Sequence, residues 1–336
     1  MKKLALAAAL CAAFTGSAFA QSSVTLYGRV NTSVEFQDNG QTDRTVMENN
    51  ASRWGLKGNE DLGGGLSAFF MLETGFGSDT GAGSGGFNRE AFVGLKSASF
   101  GQIKAGKITS ALYYATLDWI GFVNHDTGTS AEDKLYTLNF TSNNAVEYTT
   151  PTFGGGFTVA LTVNAGEGAD ATGTNVEPNL YSKTYEGVVS YDVENLHVGA
   201  GYSKSENVAG DDVIEGFSAA GAYTMGPLTV GLAYEYNDST ALGKRNHYHV
   251  TAMYAVGAHE FHGVVGYADE WDNVADSDAK VYTVGYGYNL SKRTKLYAFY
   301  TLNDNGTVPY GAGYSSLAVL PNEDWSSFAV GIRHHF

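Results

Sequence analysis

From Ser22 to its last residue the chain repeats one unit, a stretch of about ten residues in which apolar and polar side chains alternate, followed by a connector. Phe157, Val159, Leu161 and Val163 share one parity, and Thr158, Ala160, Thr162 and Asn164 the other. Leu228, Val230, Leu232, Tyr234 and Tyr236 stand against Thr229, Gly231, Ala233 and Glu235 in the same way. Near the end, Phe328, Val330, Ile332, His334 and Phe336 alternate with Ser327, Ala329, Gly331, Arg333 and His335. A period of two places each set on opposite faces of a strand. A soluble sandwich would show the same alternation, so the chemistry of the second face has to separate the two folds. That face is rich in Gly, Ser, Thr and Ala with scattered charge, as a face against water would be. Tyr and Phe gather toward strand ends, where a bilayer places its aromatic girdles. Both features favour a closed barrel.

The first twenty residues read as a cleaved export signal. Lys2 and Lys3 give a positive start, Leu4 to Phe14 an apolar stretch too short to span a bilayer, and Ala18-Phe19-Ala20 a cleavage site of small residues. Domain organisation is therefore a signal peptide over 1-20 and a single barrel domain over 21-336. Cys11, the only cysteine, falls in the leader, so the mature chain uses neither disulfides nor thiolate metal sites. Loss of Lys2 and Lys3 takes the formal net charge from −15 to −17, which argues against nucleic acid as a partner. After the leader no run approaches the roughly twenty apolar residues of a membrane helix. If the chain enters a membrane it must do so as a closed sheet, because lipid offers no partner to an unpaired backbone group.

Counting segments predicts about sixteen strands, near 22–36, 50–60, 64–75, 88–97, 100–108, 144–151, 155–164, 183–192, 195–205, 213–224, 228–236, 247–256, 259–269, 278–290, 294–303 and 325–336. Connectors alternate short and long. Turns such as Asp61-Leu62-Gly63-Gly64, Ser97-Ala98-Ser99, Val193-Glu194-Asn195, Gly226-Pro227 and Asn289-Leu290-Ser291 should face the periplasm, and the long connectors the exterior. The longest, Thr109 to Asn139, carries Leu112, Tyr113, Tyr114, Leu117, Trp119, Ile120 and Phe122, too apolar for solvent. It is expected to fold inward onto the barrel wall and narrow the passage.

A barrel of sixteen strands is too wide for side chains to fill, so function lies in what lines the narrowest point. Arg29, Arg53, Lys57 and Lys104 have the parity of the wet face and point cations into one lumen. The long connector offers Asp118, Asp126, Glu132 and Asp133 opposite them. Opposed acid and base across a constriction would set up a transverse field on passing solutes. The plainer reading, isolated solvated charges on a hydrophilic wall, needs no such field. No catalytic constellation is present, so an enzyme is not expected. An adhesin would need a large external domain, which is also lacking. His247 and His249 share one face, but no third ligand accompanies them, so no metal and no cofactor is expected.

Several stretches resemble the trimeric general porins of Gram-negative bacteria, in particular the beta-proteobacterial branch. They are VTLYGRV at 24–30, SRWGLKGNEDLGGGLSAFFMLETGF at 52–76, REAFVGLKSASFGQIKAGK at 89–107, VEYTTPTFGGG at 146–156, YNLSKRTKLYAFYT at 288–301 and FAVGIRHHF at 328–336. The resemblance covers essentially the whole mature chain. It implies an all-β, 16-stranded antiparallel transmembrane barrel in the outer membrane, with the third external loop folded inside. It also implies a homotrimer in contact with lipid and lipopolysaccharide, and passive diffusion of ions and small hydrophilic solutes. A substrate-selective channel with a saturable site is the alternative; Tyr113, Tyr114 and Trp119 would suit a sugar track. The family's basic constriction wall maps onto Arg29, Arg53 and Lys107, whereas parity alone selects Lys104. A further family arginine appears here as Thr141, and with the charge of −17 this points to a mild cation preference. The acidic loop residues match by region only. By the same resemblance, Phe336 is the terminal aromatic read by the barrel-assembly machinery.

Overall fold

The computed structural model describes residues 23–83, 85–122, 128, 133–164, 166, 181–207, 212–310 and 315–336. The expected signal peptide lies outside the described residues, as do Asp126 and Glu132. The chain forms a closed antiparallel sheet whose strands pair with their neighbours in sequence and whose ends meet. The strands are β1 (Ser23–Asp38), β2 (Asp43–Asn49), β3 (Arg53–Gly63), β4 (Leu66–Gly75), β5 (Ala91–Ser97), β6 (Gly101–Thr109), β7 (Thr141–Thr149), β8 (Phe157–Asn164) and β9 (Tyr181–Val193). They continue as β10 (Leu196–Asn207), β11 (Val213–Met225), β12 (Leu228–Ser239), β13 (Gly243–Val256), β14 (His259–Ala268), β15 (Ala279–Asn289), β16 (Thr294–Asn305) and β17 (Trp325–His335).

These segments make sixteen staves, because β2 and β3 are two halves of one. The upper half of β1 pairs with β2, ending at Thr32↔Asn49, and its lower half with β3, beginning at Arg29↔Arg53. Two residues of β1, Val30 and Asn31, thus face three on the partner, Asn50, Ala51 and Ser52. This is a bulge, and Ala51 adopts φ 50° within it. Alternation alone places Asp43–Asn49 in a connector, whereas the structure makes it a strand. It runs seven residues, with Val46 opposite Glu35 on the wet side and Thr45 opposite Phe36 on the other, so these two break the alternation that Met47 and Glu48 keep.

The two faces of the wall differ as lipid and water require. Val93, Leu161, Leu232, Val250, Val284 and Val330 are exposed on the outer face, which the bilayer covers. Toward the short-turn end that face carries Tyr223, Tyr254, Phe261, Tyr286 and Tyr288, and toward the other end Phe36, Tyr202, Phe217, Tyr248 and Phe328. These are the two aromatic belts. The inner face carries Arg29, Asn31, Ser33, Glu35, Glu235, His247, His249 and Thr301, all buried.

Between β6 and β7 the chain leaves the sheet and forms two single-turn helices, α1 (Ala111–Ala115) and α2 (Leu117–Ile120). Their apolar side chains rest on small inward-facing residues of the opposite wall. Tyr113, Leu117 and Ile120 cluster with Ala220 and Ala222, while Leu112 and Ala115 cluster with Leu138 and Val188. Gly199 permits the approach, because a Cβ there would collide with the Ala115 carbonyl. Two of the buried apolar clusters among the described residues are therefore contacts of this segment inside the barrel.

The ladder between β1 and β17 closes the barrel, and Phe336 extends it. Phe336 donates its N–H to Gly28 O and accepts from Gly28 N, each at 3.1 Å, and its ring lies where a Cβ of Gly28 would stand. A Gly28→Val substitution should displace that ring and cost about 1–3 kcal/mol by overpacking. The expected outcome is a reduced fraction of compact, heat-modifiable barrel on electrophoresis of the refolded protein, against a Val30→Ala control.

Candidate functional site

Register places the basic wall row by row. Lys295 stands opposite Arg333, Asn31 opposite Arg333, and Arg29 between His335 and Arg53. All these side chains have the inward parity, so one side of the lumen carries a basic band across β16, β17, β1 and β3. Arg29 is 2% exposed and its Nη2 donates to the carbonyls of Asn50 (3.4 Å) and Ala51 (3.1 Å), which ties the bulge to β1. Arg53 Nε lies 3.8 Å from Glu73 Oε2, and Arg89 Nε 2.6 Å from Glu73 Oε1. Tyr27 donates its hydroxyl to the same carboxylate at 3.0 Å. Lys104 Nζ sits 3.0 Å from Glu147 Oε1 across the β6–β7 ladder. Lys107 lies opposite Ala91, where the register with β7 shifts, and donates to Asn143 Oδ1 at 2.9 Å. By parity it belongs with Ile103 and Ala105, unlike Lys104.

The acidic candidates are less gathered. Asp118 is partly exposed on α2, and Asp133 begins the return arm of the connector, 3.5 Å from Lys134 Nζ. The sequence reading missed the glutamates that engage its own cations, Glu73 and Glu147. Their parity was readable, but which basic residue each would meet depends on register between strands.

The connector itself is held by its backbone. Glu186 on β9 accepts from Leu112 N (3.0 Å) and Ser110 Oγ (2.7 Å) at the start of α1. His197 on β10 bridges Ala115 O (2.8 Å) and Asp192 (2.6 Å), with the Trp119 ring stacked on it at 3.9 Å. Thr251 Oγ1 donates to Ile120 O at 2.8 Å. On the return arm, Glu235 accepts from Thr137 N at 3.1 Å, and Arg245 Nη2 donates to Leu135 O at 2.6 Å. The Arg245 guanidinium carbon lies 4.7 Å and 4.9 Å from the Trp271 and Tyr310 ring centres, so it also gathers the β14–β15 and β16–β17 connectors. Burial, with Glu235 and then Glu186 nearby, pushes the Tyr136 phenol well above its ordinary value, so that ring stays neutral. His247 and His249 stack edge to face at 5.6 Å beneath this layer, and no metal cluster occurs among the described residues.

A closed sixteen-stave barrel with an apolar exterior, a charged interior and a segment laid across its inner wall defines a membrane channel. The chain belongs to the Gram-negative porin family, whose model matches residues 5–307. It is 35% identical to outer membrane porin protein 32 of Delftia acidovorans, over all of both chains. An outer membrane porin protein of Bordetella pertussis is 29% identical, again over all of both. Among solved structures, an anion-selective porin from Comamonas acidovorans superposes with a TM-score of 0.77 at 27% identity, covering 94% of this chain and 100% of that one. The protein is thus a multi-pass β-barrel of the outer membrane whose water-filled lumen passes ions and small hydrophilic solutes by passive diffusion. The family is one of channels.

Because Arg245 holds both a main-chain carbonyl of the connector and two outer connectors, Arg245→Met should loosen the return arm. Removing the guanidinium leaves the Leu135 carbonyl and the Tyr310 hydroxyl without their donor in buried surroundings, a cost of about 1–3 kcal/mol. The expected outcome is broader, noisier single-channel conductance levels in a planar bilayer, with Lys244→Met unchanged as the comparison.

Proposed function

We propose that the inward segment sets the size limit of this pore, and that charge selection arises where it faces the wall of Arg29, Arg53, Lys104 and Lys107. Asp118 and Asp133 contribute the opposed acidic side, and Asp126 and Glu132, outside the described residues, belong to the same stretch. The observation that carries the reading is the pairing of wall cations with wall carboxylates, Arg53 with Glu73 and Lys104 with Glu147. A cation so paired adds less field to the passage than a lone one, because the partner's opposite potential subtracts from it. With a strongly acidic chain around it, the pore then favours cations mildly. This contrasts with the anion-selective porin from Comamonas acidovorans.

The working unit is a homotrimer, exported with cleavage of residues 1–20, surrounded by lipid and lipopolysaccharide and inserted by the barrel-assembly machinery through Phe336. These statements rest on family membership and on the leader's residue pattern. Enzymatic activity has no part in this reading.

A tenfold KCl gradient across a bilayer holding the purified protein tests the selectivity. The expected reversal potential has the sign of cation preference, and the opposite sign overturns it. Neutralising Arg53 and Lys107 together, to glutamine and methionine, should move the reversal potential further toward the cation limit. An unchanged value in the double variant places the filter elsewhere in the lumen.

A further inference from the structure

The inner wall of β3 to β6 near the short-turn end breaks the rule that a wet face carries small polar groups. Register aligns Thr25, Lys57, Met71 and Phe92 in one row across the strands, and Asn59, Phe69, Gly94 and Lys104 in the next. Lys96 follows one row nearer the turns, opposite Ser67. The outward parity on these strands belongs to Val93, Leu95 and Ile103, so Phe69, Met71 and Phe92 face the lumen. Phe69 and Phe92 meet edge to face at 5.9 Å. Each nearby ammonium stands over a lumen ring: Lys96 over Phe69 at 5.5 Å, Lys104 over Phe92 at 5.1 Å, and Lys57 over Tyr27 at 4.9 Å. Glu147 pairs Lys104, whereas among the described residues neither Lys57 nor Lys96 is ion-paired with a carboxylate. Both are exposed. A cavity of about 280 Å³ opens between them, floored by Phe69, Met71 and Phe92.

We propose that this cavity is a binding site for organic anions with a flat aromatic body, the ring lying on Phe69, Met71 and Phe92 and the anionic group between Lys57 and Lys96. Two features of the site select such a ligand together. The apolar floor rewards removing an aromatic face from water, and two cations without carboxylate partners reward a negative charge at the ligand's edge. A small inorganic anion gains only the second, and a neutral aromatic only the first. A hydrophilic solute gains neither and passes by. The site lies on the β3–β5 wall, across from the α1 and α2 contacts with β9 to β12, so its occupant would narrow the lumen from the side the inward segment leaves open. The proposal rests on the reading of this lumen as an open pore.

The probe is naphthalene-2-sulfonate, anionic at all working pH values, with methanesulfonate as the ringless anion. Added to the full-length porin in a planar bilayer at constant KCl, the naphthalene compound should reduce conductance saturably, and methanesulfonate at the same concentration should not. In Lys57→Met/Lys96→Met the half-blocking concentration should rise about tenfold, as expected for losing two partly exposed charge contacts. Phe92→Ala should raise it by a similar factor while the variant still conducts KCl. Equal block by both sulfonates, or an unchanged half-blocking concentration in the double variant, overturns the proposal. If the protein conducts no KCl, the pore reading fails on its own. Saturable quenching of the probe's fluorescence by detergent-refolded protein, weakened about tenfold in the double variant, then tests the site independently, and equal quenching by both proteins overturns it.

Discussion

Everything in this molecule depends on one demand: inside lipid, no backbone N–H or C=O can go without a partner. An open sheet of any width fails it at both edges, so the first and last strands must find each other. Here they do so through the ladder from Arg29↔His335 to Asp38↔Ser326, completed by the paired bonds of Phe336 with Gly28. The demand also explains why the wall tolerates a bulge in the stave of β2 and β3. The carbonyls of Asn50 and Ala51, turned out of the ladder by the extra residue, are taken up by the Arg29 guanidinium. A side chain expected to serve the pore thereby also serves the sheet.

A barrel of this girth cannot fill its own interior, and so the usual relation between core and surface is inverted. Apolar side chains on the staves belong to the exterior, and the polar ones to a lumen in which water, carboxylates and ammonium groups coexist. Many of the buried apolar contacts that an ordinary domain makes between its elements are made here between one connector and the inner wall of β9 to β12. That connector divides the interior into a packed side and an open side. Two carboxylates on the open side answer cations locally, Glu73 between Arg53 and Arg89 and Glu147 with Lys104, while Lys57 and Lys96 stand there without a carboxylate partner among the described residues.

Alternation made the staves and their two faces legible from the sequence. It located nearly every strand and assigned Arg29, Arg53 and Lys104 to the wet side. It failed on Asp43–Asn49 because Val46 sits on the wet face and Thr45 on the lipid face, and because the bulge that follows resets the parity. Lys107 shows the same limit, since a register shift beside it removes the meaning of odd and even. Pairings were out of reach for a different reason. That Glu147 meets Lys104, or that Glu186 meets Leu112, depends on the stagger between strands, which no single strand encodes. The apolar content of the long connector announced that it packs against something, but the residues receiving it, Gly199, Ala220 and Ala222, look from the sequence like any other small wall positions.

The wall side chains that hold the connector grip its peptide groups: Leu112 N, Ala115 O, Ile120 O, Leu135 O and Thr137 N. A peptide group is the same whatever side chain it carries. This part of the segment's anchorage is thereby independent of the side chains it turns away from the wall. An exposed side chain such as Tyr114 can be exchanged without loosening that grip. The residues that cannot drift in this way stand on the staves, at Glu186, His197, Glu235, Arg245 and Thr251.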